Sequence, residues 1–128
     1  MKMNELEKSN SAYLLHHSKN PIYWKPWTIS TLDQAKRENK LIILSIGYSA
    51  CHWCHVMERE TFNNELIAKV MNQHFIAIKV DKEEHPEVDN VYMDFLLETK
   101  GSGGWPLNCI LLPSSLPLYA GTYYNAND

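Results

Sequence analysis

Two cysteines, two histidines and a tryptophan occupy consecutive positions in the stretch Cys51-His52-Trp53-Cys54-His55. This spacing fits three kinds of chemistry. C-x-x-C-H is the attachment signal for covalent haem, a close cysteine pair with a histidine can hold zinc, and C-x-x-C can form a redox-active dithiol. The sequence around the motif has to decide among them.

Covalent haem attachment does not suit the rest of the chain. It requires export to an oxidising compartment and is typical of small helical folds that supply a second axial ligand. The first ten residues, M-K-M-N-E-L-E-K-S-N, contain no apolar segment of a secretory signal. We therefore expect a cytoplasmic protein without a cofactor.

A zinc site at Cys51, Cys54 and His55 is a second alternative. Structural zinc sites normally show a second ligand pair at similar spacing. The remaining candidates stand alone or side by side in the sequence: Cys109, His74, His85 and His16-His17. Zinc at the C-x-x-C-H motif remains a lesser alternative, and we assign no metal ligand.

Composition narrows the class of protein further. A chain of 128 residues with 45% hydrophobic residues can form one packed domain. Its net charge of -3 and its scattered basic residues argue against binding to nucleic acid, and no apolar run is long enough to span a membrane. Three cysteines are too few for a disulfide-stapled scaffold.

Hydrophobic periodicity predicts strands that alternate with helices. A capping box at Thr31 opens a helix that runs to about Asn39, and the apolar run Leu41–Ile46, ended by Gly47, reads as a central strand covered on both faces. A helix should begin at the C-x-x-C motif. Another should follow an N-cap at Asn63, with an apolar face made of Leu66, Ile67, Val70 and Met71.

The second half of the sequence continues this alternation. Phe75–Asp81 is a predicted strand, Pro86 opens a helix, and Gly101 ends it. The apolar stripe of that helix is Val88, Val91, Tyr92, Phe95 and Leu96. Two strands, 107–112 and 118–122, form an expected hairpin. We predict an α/β fold with a mixed central sheet over residues 20–128, preceded by a loosely ordered or docking arm at residues 1–19.

A C-x-x-C motif that leaves a buried strand and opens a helix is the thioredoxin-like redox arrangement. The helix N-terminus stabilises a thiolate, so the exposed Cys51 is the expected nucleophile and Cys54 resolves the mixed disulfide. An imidazolium at His52 should favour the thiolate and raise the reduction potential. Trp53 should offer an apolar surface to a substrate.

The second signal is Gly104-Trp105-Pro106, which precedes the third predicted strand. Thioredoxin-like folds have a cis-proline facing the C-x-x-C motif at this position, and we expect Pro106 to be cis. The backbone at Trp105 could then pair with an extended substrate segment. The expected partners are a thiol or disulfide substrate, either a protein or a small molecule, and a reductase that the sequence does not identify.

Five blocks of sequence together resemble the thioredoxin-like domain of the YyaL/spermatogenesis-associated family. In this chain they are N-P-I-Y-W-K-P-W at 20–27, S-I-G-Y-S-A-C-H-W-C-H-V-M-E at 45–58, I-K-V-D-K-E-E-H-P at 78–86, G-G-W-P-L-N at 103–108 and G-T-Y at 121–123. The resemblance implies a thioredoxin-like fold with Cys51 and Cys54 as the redox pair and Pro106 as the cis-proline.

Three departures from that pattern bear on activity. Many thioredoxins carry a buried acid where this chain has Ser45, and a serine is a much weaker base. Cys109 stands where an aliphatic residue is expected and is interpreted as a small buried hydrophobe. The sequence ends before a closing helix, so a fragment or a short form lacking that helix is expected. Ser45 and the missing closing helix favour a second hypothesis, a thioredoxin-like binding or scaffold module of a larger protein with a non-catalytic or regulatory C-x-x-C.

Overall fold

A four-stranded mixed sheet forms the centre of the protein in the computed structural model, which describes residues 4–124. The strands are β1 (Leu41–Gly47), β2 (Phe75–Asp81), β3 (Leu107–Leu111) and β4 (Pro117–Gly121), in the spatial order β2-β1-β3-β4. The pair β1 and β2 is parallel, whereas β3 is antiparallel to both β1 and β4. The predicted central strand, the hairpin and the mixed sheet are thus confirmed.

Within residues 4–124, five α-helices surround this sheet. They are α1 (Ala12–His16), α2 (Ile29–Glu38), α3 (His52–Met57), α4 (Glu65–His74) and α5 (Pro86–Lys100). A single π-helical turn, Glu58–Phe62, continues α3. None of the helices described within residues 4–124 is long and apolar enough to cross a lipid bilayer.

The sheet separates two apolar cores because successive side chains of a strand point to opposite faces. On one face, Ile42, Leu44 and Ile46 of β1 pack with α2 and α5. The core on the other face contains both motif cysteines and receives residues from α1, α3 and α4. β1 is therefore covered on both sides, which explains its nearly continuous apolar sequence.

Two predicted apolar faces need correction. Leu66 and Val70 of α4 are exposed, and the buried residues of this helix are Ala68 and Met71. In α5, Val91 is exposed although it fits the helical stripe. The i, i+3, i+4 pattern marks a stripe wider than the contact that each helix makes with the sheet.

Two helices begin at residues other than those predicted. The hydroxyl of Thr28 accepts a hydrogen bond from the Thr31 backbone N–H, so the N-cap of α2 lies three residues before the predicted one at Thr31. Asn64, and not Asn63, caps α4, since its side chain accepts bonds from two backbone N–H groups of the first turn. Gly101 does end α5, in a left-handed conformation with φ +80°.

The segment before residue 20 is helical over part of its length and packs on the domain. Leu6, Tyr13 and Leu14 are each at most 4% exposed. The Ser11 hydroxyl caps α1 and donates a hydrogen bond to Asp81 at the end of β2, with an O···O distance of 2.7 Å. This segment was expected to be a loosely ordered or docking arm, and its described part docks by burying apolar side chains.

Candidate active site

Cys51 and Cys54 lie where β1 gives way to α3 and are joined by a disulfide bond. Cys51 is the N-cap residue of α3, and its sulfur accepts a hydrogen bond from the Cys54 backbone N–H at 3.1 Å. Cys51 is 4% exposed and Cys54 is 1% exposed, so Cys51 is less accessible than the sequence suggested for a nucleophile. After reduction, the same hydrogen bond from the Cys54 backbone N–H would stabilise the Cys51 thiolate.

His52 and Trp53, on the first turn of α3, are both exposed. Their rings are 5.4 Å apart, and the Trp53 indole packs edge-on against the Tyr123 ring at 5.3 Å. Trp53 is therefore an exposed aromatic side chain between the two cysteines in the sequence, and its contact with a substrate remains a prediction. The effect of His52 on the thiolate remains a prediction, since the contact that the structure gives to its ring is with Trp53.

The second predicted block, at Trp105 and Pro106, packs against the core that contains the cysteine pair. The Trp105–Pro106 peptide bond is cis, and the Trp105 side chain packs against both apolar cores. Its indole N–H donates a hydrogen bond to Asp89 at 2.8 Å, and its ring lies 5.8 Å from Tyr48. The Lys82 ammonium lies over both of these rings. Tyr48 and Trp105 thus both pack against the core that contains the dithiol.

The His55 ring contacts Ser49 and His16. Its Nε2 lies 2.6 Å from the Ser49 carbonyl oxygen, and its ring lies 5.3 Å from that of His16. Among the described residues, the group with ligand atoms close enough for a metal ion is His16, His55 and Glu58, within 4.8 Å of one another. The zinc alternative at Cys51, Cys54 and His55 is therefore not the arrangement found, because the two sulfurs bond to each other.

A buried lysine lies beneath this site. Lys79, on β2, is 1% exposed, and its Nζ donates hydrogen bonds to Ser45 Oγ at 2.9 Å and to the Tyr13 phenol oxygen at 2.5 Å. The ammonium also faces the rings of Tyr13, Trp24 and Phe62 at 4.8–5.6 Å. A buried cation is costly unless hydrogen bonds and aromatic faces replace its hydration.

Burial changes the titration of these groups. It lowers the pKa of Lys79 to about 7, although the carboxylates of Glu58 and Asp81 act in the opposite direction. It also raises the pKa of Tyr13, with help from the same two carboxylates. At neutral pH the phenol is protonated, while Lys79 is divided between its charged and neutral forms.

The Tyr13 phenol and the Cys54 sulfur both lie against Gly47. A methyl group on Gly47 would overlap both the Tyr13 phenol oxygen and the Cys54 sulfur. These two atoms therefore border the space that a side chain at Gly47 would occupy, here called the gap at Gly47. Glycine is needed here because the phenol and the resolving cysteine share that space.

A second buried polar network connects the N-terminal segment to the turn after α3. The Asn20 side chain donates to Glu58 and Asn63, and its oxygen accepts from the Trp24 indole N–H at 3.0 Å. The same oxygen lies 2.8 Å from His17 Nδ1, so that nitrogen must carry the proton.

His17 is held neutral within this network. Burial, reinforced by the positive charge of Lys79, lowers the pKa of His17 to about 2. Its contact with Glu58 is consequently a neutral one and not an ion pair. The network fixes the N-terminal segment against the turn at Glu58, and this positions Tyr13 near the cysteines.

Sequence reasoning missed Tyr13, His17 and Lys79. A signal did exist for Lys79, since it interrupts the apolar strand Phe75–Asp81 at a position where both neighbours are buried. Cys109 behaves as predicted: it is a free, buried thiol, and burial raises its pKa to about 12. Trp24, whose ring faces the Lys79 ammonium, is fully buried.

Comparison with known proteins identifies the family. The profile of a family described as "Protein of unknown function, DUF255", with the short name Thioredox_DsbH, matches residues 3–128. The chain belongs to this family. Spermatogenesis-associated protein 20 is 50% identical to it in Rattus norvegicus and 49% identical in Homo sapiens, each over 125 residues and 98% of this chain. The chain spans only 16% of the length of either relative.

Solved structures show that this DUF255 domain has a thioredoxin-like fold. A putative disulphide-isomerase from Bacteroides thetaiotaomicron aligns with a TM-score of 0.63 at 21% identity, covering 83% of this chain and 84% of its own. A protein described as "DsbH Oxidoreductase" aligns with a TM-score of 0.59 at 19% identity, covering 80% of this chain and 74% of its own. At such identities the likeness concerns the fold.

Proposed function

We propose that this DUF255 domain is a thiol–disulfide oxidoreductase that uses Cys51 and Cys54 as its dithiol. The observation that carries the proposal is the position of Cys51, at the N-cap of α3, with the Cys54 N–H on its sulfur and Cys54 within bonding distance. The thioredoxin-like fold and the family membership agree with this chemistry.

The reaction consists of two thiol–disulfide exchanges. The Cys51 thiolate attacks one sulfur of a substrate disulfide and expels the other as a thiolate, which leaves a mixed disulfide. The Cys54 thiol then loses its proton and attacks Cys51, so that the Cys51–Cys54 disulfide forms and the second substrate sulfur departs. The substrate disulfide gains two electrons, and the enzyme dithiol loses two.

The surroundings of the dithiol favour an extended disulfide-bearing segment as substrate. The exposed Trp53 ring would contact this segment, and the backbone at Gly104, Trp105 and Pro106, which contains the cis peptide bond, would pair with it. A dithiol reductase is needed to regenerate the enzyme. A cytoplasmic setting fits a chain with so few cysteines, one of which, Cys109, stays free and buried.

The test is reduction of insulin, or of a glutathione mixed disulfide, with dithiothreitol as the electron source. We expect activity in the wild type, none in Cys51→Ser, and a trapped mixed disulfide in Cys54→Ser. Cys109→Ala is the matched control, because this thiol lies in the core on the opposite face of the sheet and should be dispensable. Activity that persists in Cys51→Ser would contradict the proposal.

The second candidate is a binding or scaffold module whose disulfide is structural or regulatory. The low exposure of Cys51 favours it, as does the small share of the longer relatives that this region represents. Titration of the Cys51 thiol separates the two functions. A value near the free-cysteine pKa of about 8.5 indicates the scaffold, and a clearly lower one indicates the oxidoreductase.

A further inference from the structure

Resolution of the mixed disulfide requires a base for Cys54, and this chain has no buried acid on β1. Cys54 is 1% exposed, so water has little access to its thiol. Ser45 occupies the place where many thioredoxins carry the acid, and an alcohol does not accept a proton at neutral pH. Some other group must accept the proton if the resolving step is to be fast.

We propose that Lys79 is this base and that the Tyr13 phenol carries the proton to it from Cys54. This assignment rests on the proposed oxidoreductase function and adds to it the two groups that activate the resolving thiol. Both act through Cys54 and do not touch the substrate.

The geometry places the three groups of the relay in order. The Tyr13 phenol oxygen and Cys54 Sγ both lie against Gly47, since a Cβ built there would overlap each of them, and the same phenol oxygen lies 2.5 Å from Lys79 Nζ. Ser45 Oγ accepts a second hydrogen bond from Lys79 at 2.9 Å and so fixes the direction of the amine. The relay is buried throughout, because Tyr13, Ser45 and Lys79 are each at most 1% exposed.

The proton inventory is balanced. Before resolution, Lys79 is neutral, Tyr13 is a phenol and Cys54 is a thiol. As the Cys54 sulfur attacks Cys51, its proton passes to the phenol oxygen while the phenol proton passes to Lys79 Nζ. The products are an ammonium at Lys79, an unchanged phenol and the Cys51–Cys54 disulfide, and the substrate leaves as a thiolate. Reduction of that disulfide by a dithiol returns the proton to Cys54.

The charged and titratable groups that face Lys79 set the pH at which it can accept a proton. They are Tyr13, His17, Glu58 and Asp81. His17 is neutral, and Glu58 and Asp81 favour the ammonium. Burial outweighs these two carboxylates and brings the pKa of Lys79 to about 7, where an amine is an effective base under neutral conditions.

The experiment follows both exchanges in a single turnover. The reduced protein is mixed with 5,5′-dithiobis(2-nitrobenzoate), which releases one coloured thiolate when Cys51 attacks and a second when Cys54 resolves. The second phase is first-order and independent of reagent concentration, which distinguishes it from the first. Its rate is measured against pH in the wild type and in Lys79→Met and Tyr13→Phe.

In the wild type we expect the second-phase rate to rise with pH around a midpoint near 7. In both variants the rate at neutral pH should fall by at least about tenfold, and the midpoint should move up to that of the thiol itself, about 8.5 or higher. The first phase should be unchanged. Lys36→Met and Tyr23→Phe, at exposed positions outside the site, are matched controls that should leave both phases unchanged.

Three results would overturn the relay. Unchanged second-phase profiles in both variants exclude it. A change in Lys79→Met with a normal Tyr13→Phe also excludes it, because Tyr13→Phe keeps the lysine charge and removes only the path of the proton. A wild-type protein without a first-order second phase rejects the proposed function itself and the relay with it. Because Tyr13→Phe keeps the packed ring, it serves if Lys79→Met does not fold.

Discussion

Ser45 and Lys79 are register partners on the parallel strands β1 and β2, and Ser45 Oγ accepts a 2.9 Å hydrogen bond from Lys79 Nζ. Register partners point to the same face of a sheet, here the face that carries the cysteine pair. The polar group buried beneath the dithiol is therefore an amine on the neighbouring strand. It can accept a proton without adding a negative charge next to a thiolate.

The first prediction concerns protein stability and Lys79. The pKa of this group is 10.5 in the unfolded chain and about 7 in the folded protein. Between these values the unfolded chain holds a proton that the folded protein has released. The free energy of unfolding should therefore rise with pH above 7, by up to about 1.4 kcal/mol per pH unit, and this stability is lost as the pH falls back to 7.

Urea unfolding of the disulfide form measures this effect, with the pH kept below 9.0, the ordinary value for Cys109. Lys79→Met should abolish the rise and should be more stable than the wild type near pH 7. Lys36→Met should retain the wild-type slope, since Lys36 is exposed. Equal slopes in wild type and Lys79→Met would show that the lysine titrates normally.

The second prediction concerns acid conditions and His17. Burial lowers its pKa from 6.5 to about 2, so below pH 6.5 the unfolded chain takes up a proton that the folded protein does not. The free energy of unfolding should fall as the pH drops below 6.5, by up to about 1.4 kcal/mol per pH unit from this group.

Thermal or urea unfolding between pH 6.5 and about pH 4.5 tests this dependence. His17→Gln should flatten the pH dependence even though it lowers stability by disturbing the contact with Asn20. His74→Gln is the control, because His74 is exposed at the end of α4. The same pH dependence in His17→Gln as in the wild type would contradict a neutral His17.

The third prediction concerns the redox potential and His52. If its imidazolium favours the Cys51 thiolate, His52→Ala should make the dithiol more reducing, with an equilibrium constant against glutathione changed by about three- to tenfold. Quantifying reduced and oxidised protein in glutathione buffers checks this. His74→Ala, at an exposed position, should give the wild-type equilibrium constant. An unchanged constant in His52→Ala would show that His52 does not influence the redox potential.

The fourth prediction concerns the gap at Gly47. Gly47→Ala places a methyl group against the Tyr13 phenol and the Cys54 sulfur, so it should lower the free energy of unfolding by about 1–3 kcal/mol through overpacking. It should also slow the second phase of the single-turnover reaction, because the phenol is displaced.

Gly101→Ala provides the comparison for Gly47→Ala. No atom lies within 4 Å of its added methyl, so its effect arises only from the left-handed φ of +80° and should be about 1 kcal/mol. It should leave both kinetic phases unchanged. Similar kinetics in the two glycine variants would show that the gap at Gly47 has no part in the reaction.

Local sequence patterns correctly predicted the limits of those helices and strands that depend only on neighbouring residues. The β2 limits, Phe75 and Asp81, follow from an apolar run with a change of composition at each end, and Gly101 ends α5 because glycine adopts the left-handed conformation readily. The C-x-x-C motif indicated the chemistry because strand, motif and helix are consecutive in the sequence.

The rest of the site depends on contacts between distant residues. Tyr13 meets Lys79 across 66 positions of sequence, and Asn20 meets Glu58 across 38. No local pattern encodes such pairs. The predicted apolar faces of the helices were wrong for a related reason. Leu66 and Val70 have the correct spacing, but the side of α4 that meets the sheet depends on tertiary packing.

Because the N-terminal segment packs on the domain, the shortest protein that can complete the reaction should include this segment. The sheet and the C-x-x-C motif lie entirely after Asn20, so a protein shortened to start there would keep its cysteines. It would lack the Tyr13 phenol, and the aromatic enclosure of Lys79 would be open to water on that side. Such a shortened protein should still form a mixed disulfide and then resolve it slowly, becoming a trap for its own substrates.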